Sequence, residues 1–160
     1  MIVDLEGTIN LNKEFEGFSP TPYLDVVNVP TIGYGSTYYP DGRKVSLEDP
    51  PITEEQAKEM MEYKLRKTFL PSVIRLCPVL LAKALMEGDL GKINSLCSFV
   101  YNLGAGNLQI STLRRLINQS RFEEAAEEFI KWNKAGGKVY RGLTRRRLAE
   151  KQLYLSQGHK

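Results

Sequence analysis

Histidine is nearly missing from this chain: its single example, His159, is the next-to-last residue. A Ser-His-Asp or Cys-His catalyst needs an imidazole held in a packed site. A zinc site needs three or four His, Cys or carboxylate ligands in register. Those chemistries are set aside, and neither a metal nor a cofactor is expected. Cysteine is scarce as well. Cys77 and Cys97 each lie among apolar neighbours in segments that read as helical, so buried thiols are expected, with a disulfide left open by spacing alone. No apolar run approaches the ~18 residues that a membrane span needs. The first six residues carry neither the basic leader nor the apolar stretch of a signal peptide. A cytoplasmic start and no stable membrane association are expected. There is no internal repeat and no low-complexity segment.

What is present suits one modest domain. A chain of 160 residues buries roughly 70% of its unfolded surface and needs no staple. Its net charge is +3, unevenly placed: seven Lys/Arg against twelve Asp/Glu in residues 1–70, and fifteen against seven in residues 71–160. That asymmetry fits attraction to a polyanion across one face, or solubility with no specific partner. Arg114-Arg115 and Arg145-Arg146-Arg147 raise nucleic-acid binding. Such runs more often are solvated faces or carboxylate partners, and no nucleic acid is expected.

Thr8 to Glu16 reads as a first helix, capped by Thr8 and stopped by Gly17 in a left-handed conformation. From Ser19 to Val45, prolines, glycines and β-branched or aromatic residues predict a small antiparallel sheet of two or three strands, with Asp41-Gly42 as a hairpin turn. Thr53-Glu54-Glu55-Gln56 is a capping box opening a long helix that Pro71 should kink or end. Helices then follow: Val79 to Glu87; one capped by Asp89 and stopped by Gly104 and Gly106; one capped by Ser111; Arg121 to Trp132; and, after a Gly136-Gly137 loop, Leu143 to Ser156. The fold class is α+β with helices dominant.

Glu16, Asp25 and Thr31 fall inside one compact stretch framed by glycines and aromatics. Singly they read as a helix-end residue, a turn former and a strand residue. Together they are the parts for hydrolysing a glycosidic bond: one carboxyl group protonates the leaving oxygen, the other takes a proton from water, and the hydroxyl helps hold that water. The helix dipole disfavours an ionised Glu16 by only ~0.3–1 kcal/mol. Partial burial against Phe15, Phe18 or Tyr34 is therefore expected to do more. A further expectation is that one of Arg145 to Arg147 faces Glu16 across the cleft, within ~6 Å.

The string Glu16-Gly17-Phe18, Tyr23, Asp25, Pro30-Thr31-Ile32-Gly33-Tyr34-Gly35 and Thr37 closely resembles the catalytic signature of phage-type lysozymes, the endolysins that cut peptidoglycan. The resemblance continues at Tyr101-Asn102-Leu103-Gly104, Trp132-Asn133, Gly142-Leu143 and Arg146-Arg147. Ser36 stands where many relatives carry His, which removes a possible pair between lobes, and Asn28 stands where many carry Gly.

The resemblance implies a lysozyme-like fold: a small β lobe at about 17–52, a linking helix at about 54–70, and a helical lobe at about 71–160 plus the first helix, with the active-site cleft between the lobes. It implies Glu16 as general acid, Asp25 and Thr31 acting through water, and Thr37, Tyr101 and Asn102 lining the saccharide cleft. The expected reaction is hydrolysis of the β-1,4 bond between N-acetylmuramic acid and N-acetylglucosamine. The expected partner is the peptidoglycan glycan strand. The protein is expected to be a monomer that waits in the bacterial cytoplasm until a holin opens the membrane, then acts on the wall in the periplasm. The alternatives are a lytic transglycosylase and a non-catalytic wall-binding or baseplate module.

Overall fold

The computed structural model describes residues 3–156, and His159 lies outside them. The chain opens with helix α1 (Glu6–Glu16), followed by strands β1 (Ser19–Leu24) and β2 (Pro30–Gly33). The strands pair antiparallel, with Tyr23 opposite Thr31 and Leu24 opposite Pro30. Bridges Ile32–Ser36 and Tyr38–Lys44 extend this lobe, and the Asp41-Gly42 turn closes as expected, Tyr39 N donating to the Arg43 carbonyl at 2.9 Å.

The helix that opens at Glu54 runs to Leu76 as α2 (Glu54–Lys64), a π turn (Leu65–Phe69) and α3 (Leu70–Leu76). Its capping box forms as read: the Thr53 hydroxyl accepts from Gln56 N, and the Gln56 side chain accepts from Thr53 N. Pro71 does not end it. Leu70 N donates to the Leu65 carbonyl, five residues back, and Pro71 falls in the first turn of α3. A first-turn residue has no need of the amide hydrogen that proline lacks.

The remaining elements are α4 (Val79–Glu87), α5 (Leu90–Leu103), α6 (Ala105–Gln109), α7 (Thr112–Asn118), α8 (Phe122–Ala126), a 3₁₀ turn (Phe129–Lys131), β3 (Lys134–Ala135), β4 (Lys138–Val139) and α9 (Arg141–Ser156). Every residue of α5 from Gly91 to Val100 is buried, because the other helices wrap around it. Ile93, Leu96, Cys97, Phe99 and Val100 form the centre of the hydrophobic core. Each large apolar side chain buried there contributes ~1.5–3 kcal/mol. Cys77 and Cys97 are free and buried. Among the described residues no single helix is long and apolar enough to cross a membrane.

Five local expectations change. Thr8 is not a cap but a buried residue inside α1; its hydroxyl donates to Asn94 Oδ1 at 2.6 Å on α5, while Asp4 accepts from Glu6 N. Gly17 has the expected positive φ of 72°, but its ψ of 150° sends the chain out extended into the hairpin rather than into a left-handed turn. Asp89 precedes α5 without capping it, since its carboxylate pairs with Lys92 at 2.8 Å. Gly106 lies inside α6, leaving Gly104 alone, at φ +89°, to stop α5. The Gly136-Gly137 loop turns out to be the tip of a second small hairpin, β3–β4.

Candidate active site

Glu16 is the last residue of α1, and the chain leaves it through Gly17. One carboxylate oxygen, Oε2, sits 2.7 Å from Arg146 Nη1 on α9; the two side chains are 22% and 4% exposed. The other, Oε1, faces Gly35, where an added Cβ would lie 3.5 Å away and where φ is +91°. The sequence reading set Glu16 against Phe15, Phe18 or Tyr34. The structure instead gives it a guanidinium, and Phe18 packs on Tyr34 with ring centroids 5.6 Å apart. The expected arginine is thus Arg146, and Arg145 lies outward, 3.8 Å from Glu14.

Arg146 is itself anchored on several sides. Nη2 donates to Asn12 Oδ1 at 2.6 Å, and Nε lies 3.4 Å from Glu150 Oε2. Glu150 is fully buried, accepts from the Ser98 hydroxyl at 2.6 Å and from Arg147 Nη2 at 2.9 Å. The motif spacing offered no signal for Glu150. A glutamate on a basic helix reads as a surface charge, and only the fold buries it.

Asp25 follows β1 at the turn of the hairpin. Its Oδ1 accepts from Val27 N and Val29 N, both at 2.9 Å, and its carbonyl accepts from Asn28 N. Asn28 makes that turn at φ +64°, so asparagine takes the conformation expected of it. Thr31, 3% exposed on β2, donates its hydroxyl to the Val29 carbonyl at 2.8 Å. Tyr23, opposite Thr31, ties the pieces together: burial, then the charges of Glu16 and Asp25, push its phenol above its ordinary value. Both carboxylates therefore act on one half-exposed side chain of the β1–β2 face.

Tyr101 on α5 donates to the Tyr34 carbonyl at 2.8 Å, joining the central helix to the glycine-rich turn. Burial and then Glu16 raise its phenol also, which places it beside the acid. Asn102 lies around the corner: its Oδ1 accepts from Arg147 Nη2 at 2.9 Å, and it lines a groove of about 490 Å³ with Phe15, Tyr140, Leu143 and Arg146. Thr37 is half-buried, its carbonyl accepting from Val45 N. Ser36 is buried and its hydroxyl finds no hydrogen-bond partner among the described residues. No cluster of His, Cys, Asp and Glu able to hold a metal ion occurs among the described residues.

The chain is similar to known proteins in sequence and in fold. The phage lysozyme family pattern matches residues 13–150. The endolysin of Bacillus phage B103 is 38% identical over 153 residues, covering 94% of this chain, which spans about half (53%) of that protein's length. The crystal structure of P22 lysozyme mutant L86M superposes with a TM-score of 0.83 at 29% identity, covering 97% of this chain and 99% of that one. The muramidase domain of SpmX from Asticaccaulis excentricus gives a TM-score of 0.77 at 25% identity, covering 96% and 99%. An acid on the first helix, a hairpin carrying Asp25 and Thr31, and a helical body behind them thus come with sequence and structural kinship over most of the chain, and the chain belongs to the phage lysozyme family.

Proposed function

We propose that this site hydrolyses the β-1,4 bond between N-acetylmuramic acid and N-acetylglucosamine in peptidoglycan, as an endolysin that opens the bacterial wall for lysis. Glu16 is the general acid and Asp25 the general base. The observation that carries this reading is the hydrogen bonding around Asp25 and Thr31. Two backbone amides occupy Asp25 Oδ1 and leave Oδ2 open, while the Val29 carbonyl takes the Thr31 hydroxyl proton and leaves that oxygen as an acceptor. A water donating one hydrogen to each would turn its lone pair toward the anomeric carbon. Direct displacement by that water gives inversion.

On the acid side, Arg146 holds Oε2, and Oε1, beside the side-chain-free Gly35, is the oxygen open to a glycosidic oxygen. Tyr101 meets the turn that carries Gly35 through the Tyr34 carbonyl, Asn102 lines the 490 Å³ groove, and Thr37 is assigned to the saccharide cleft by the family resemblance. The similarity to the muramidase domain of SpmX supports hydrolysis over transglycosylation. The glycan strand is the partner, a monomer suffices, and the cell wall is where the protein acts.

Mass analysis of fragments released from purified murein is the test. Each new reducing end should carry one added water, with no anhydro product. Glu16→Gln should abolish release while leaving the fold intact, and Asp25→Asn should reduce it severely, by ~10²-fold or more. Thr31→Ala should lower kcat with little change in KM. Anhydro ends, or near-normal turnover by Asp25→Asn, would replace this reading with a transglycosylase. No release at any pH would leave a wall-binding module.

A further inference from the structure

On the flank of the β lobe lies a cavity of about 360 Å³ between the turn carrying Tyr38 to Gly42 and helix α2 with its π turn. Tyr38, Tyr39, Tyr63 and Met60 supply aromatic and apolar walls, Lys64 and Lys67 supply positive charge, and no Asp or Glu lines it. Met60 packs beneath Ile32, the residue after Thr31, so the cavity floor and the hairpin are one piece.

Lys64 gives the cavity its chemistry. It is half-buried and makes no ion pair or hydrogen bond among the described residues; its ammonium lies 5.7 Å from the centre of the Tyr101 ring. Burial pulls its ammonium below the ordinary lysine value, and the charge of Glu16 opposes that, which puts Lys64 within reach of the catalytic acid's field. Lys67 is exposed, lies 5.5 Å from the centre of the Tyr63 ring and makes no ion pair among the described residues. Lys64 and Lys67 thus bring positive charge to a cavity with no carboxylate in its lining, where an anionic group would complement them.

We propose that this cavity is a subsite for the carboxylate-bearing peptide stem of the peptidoglycan strand, Lys64 and Lys67 taking its carboxylates and the tyrosines packing on its aliphatic parts. The inference rests on the hydrolase reading above. Within that substrate the sugar backbone between stems is neutral and the stems carry the acidic groups, so two lysines on a cavity with no carboxylate in its lining select the stem. The aromatic walls suit a peptide's methylene and methyl groups as well as its charge. The stem hangs from the muramic acid residue whose bond is cut, which is why a receptor for it belongs beside the cleft.

Three forms of one glycan test the proposal: with intact stems, with stem carboxyls converted to amides, and with stems removed by an amidase. For the wild type, kcat/KM on intact strands should exceed that on amidated strands about tenfold, through KM, the size expected for one charge-assisted contact. In Lys64→Met and Lys67→Met this ratio should fall toward one. A ratio that persists in both variants, or that is absent in the wild type, overturns the proposal.

A second measurement does not depend on turnover. The free stem tetrapeptide, added to the Glu16→Gln protein, should shift the resonances of Tyr63 and Lys67, and its amidated form should not. Shifts confined to other surfaces, or none, also overturn it. The stem-free glycan separates the two readings: wild-type cleavage there with no stem preference removes the subsite alone, and no cleavage of any form removes the hydrolase.

Discussion

Tyr34 links the two lobes of the site through its hydroxyl, which donates to Glu54 Oε2 at 2.6 Å, and through its carbonyl, which accepts from Tyr101. That bond, with the charge of Lys13, holds the Glu54 carboxyl below its usual range, and burial, helped by Glu54, pushes the Tyr34 phenol up to about 12. The sign of the consequence follows from proton counting. Between the lowered folded value of Glu54 and its unfolded value near ~4.3, the unfolded chain binds more protons. The contribution to stability is therefore complete above the unfolded value and is lost as pH falls through the folded one. For Tyr34 it is complete below ~10 and lost as pH rises through about 12. Tyr34→Phe should flatten both limbs of a melting-temperature profile against pH; limbs identical to the wild type's would mean that this pair does not couple to folding.

Among the elements, the β1–β2 hairpin is the one whose local sequence and function coincide. Its turn needs a residue at φ +64°, supplied by Asn28, to aim the amides that hold Asp25. Asn28→Gly should preserve both activity and stability, whereas Asn28→Val should cost ~1–2 kcal/mol in urea denaturation and lower turnover as well. A loss of stability with turnover intact would separate the turn from Asp25. This hairpin was legible in the sequence because Glu16, Asp25 and Thr31 are placed by short-range rules: a glycine exit, a turn, a two-residue alternation. Thr53 and Ser111 were legible as caps for the same reason, their partners lying three residues on. Thr8 was not, because its partner Asn94 is 86 residues away. Pro71 misled because a π turn changes which amide a proline must forgo, and periodicity does not reveal that shift.

At the scale of the molecule, α1 is fixed by residues that are remote in sequence. Arg146 reaches Glu16 across 130 positions, and Glu150 braces Arg146 and Arg147 of α9 against Ser98 on α5. The adjoining arginines were visible, and one was expected at the acid, but their buried counter-charge was not. Burial is the larger influence on Glu150 and pushes its carboxyl up, while Arg147, Ser98 and Arg146 pull it back. Glu150→Ala strands two guanidiniums in the core and should destabilise by ~3–5 kcal/mol, measured by urea denaturation. A cost under ~1 kcal/mol would mark the pair as solvated and weak.

The tie between α1 and α9 also sets a timetable. As the polypeptide emerges from the ribosome, the acid-bearing helix is made first, and the arginine that orients it is made more than a hundred residues later. Until residues 141–156 have emerged and packed, a nascent chain carries Glu16 with no guanidinium beside it. On the hydrolase reading proposed above, an unfinished copy lacks the partner that orients its acid.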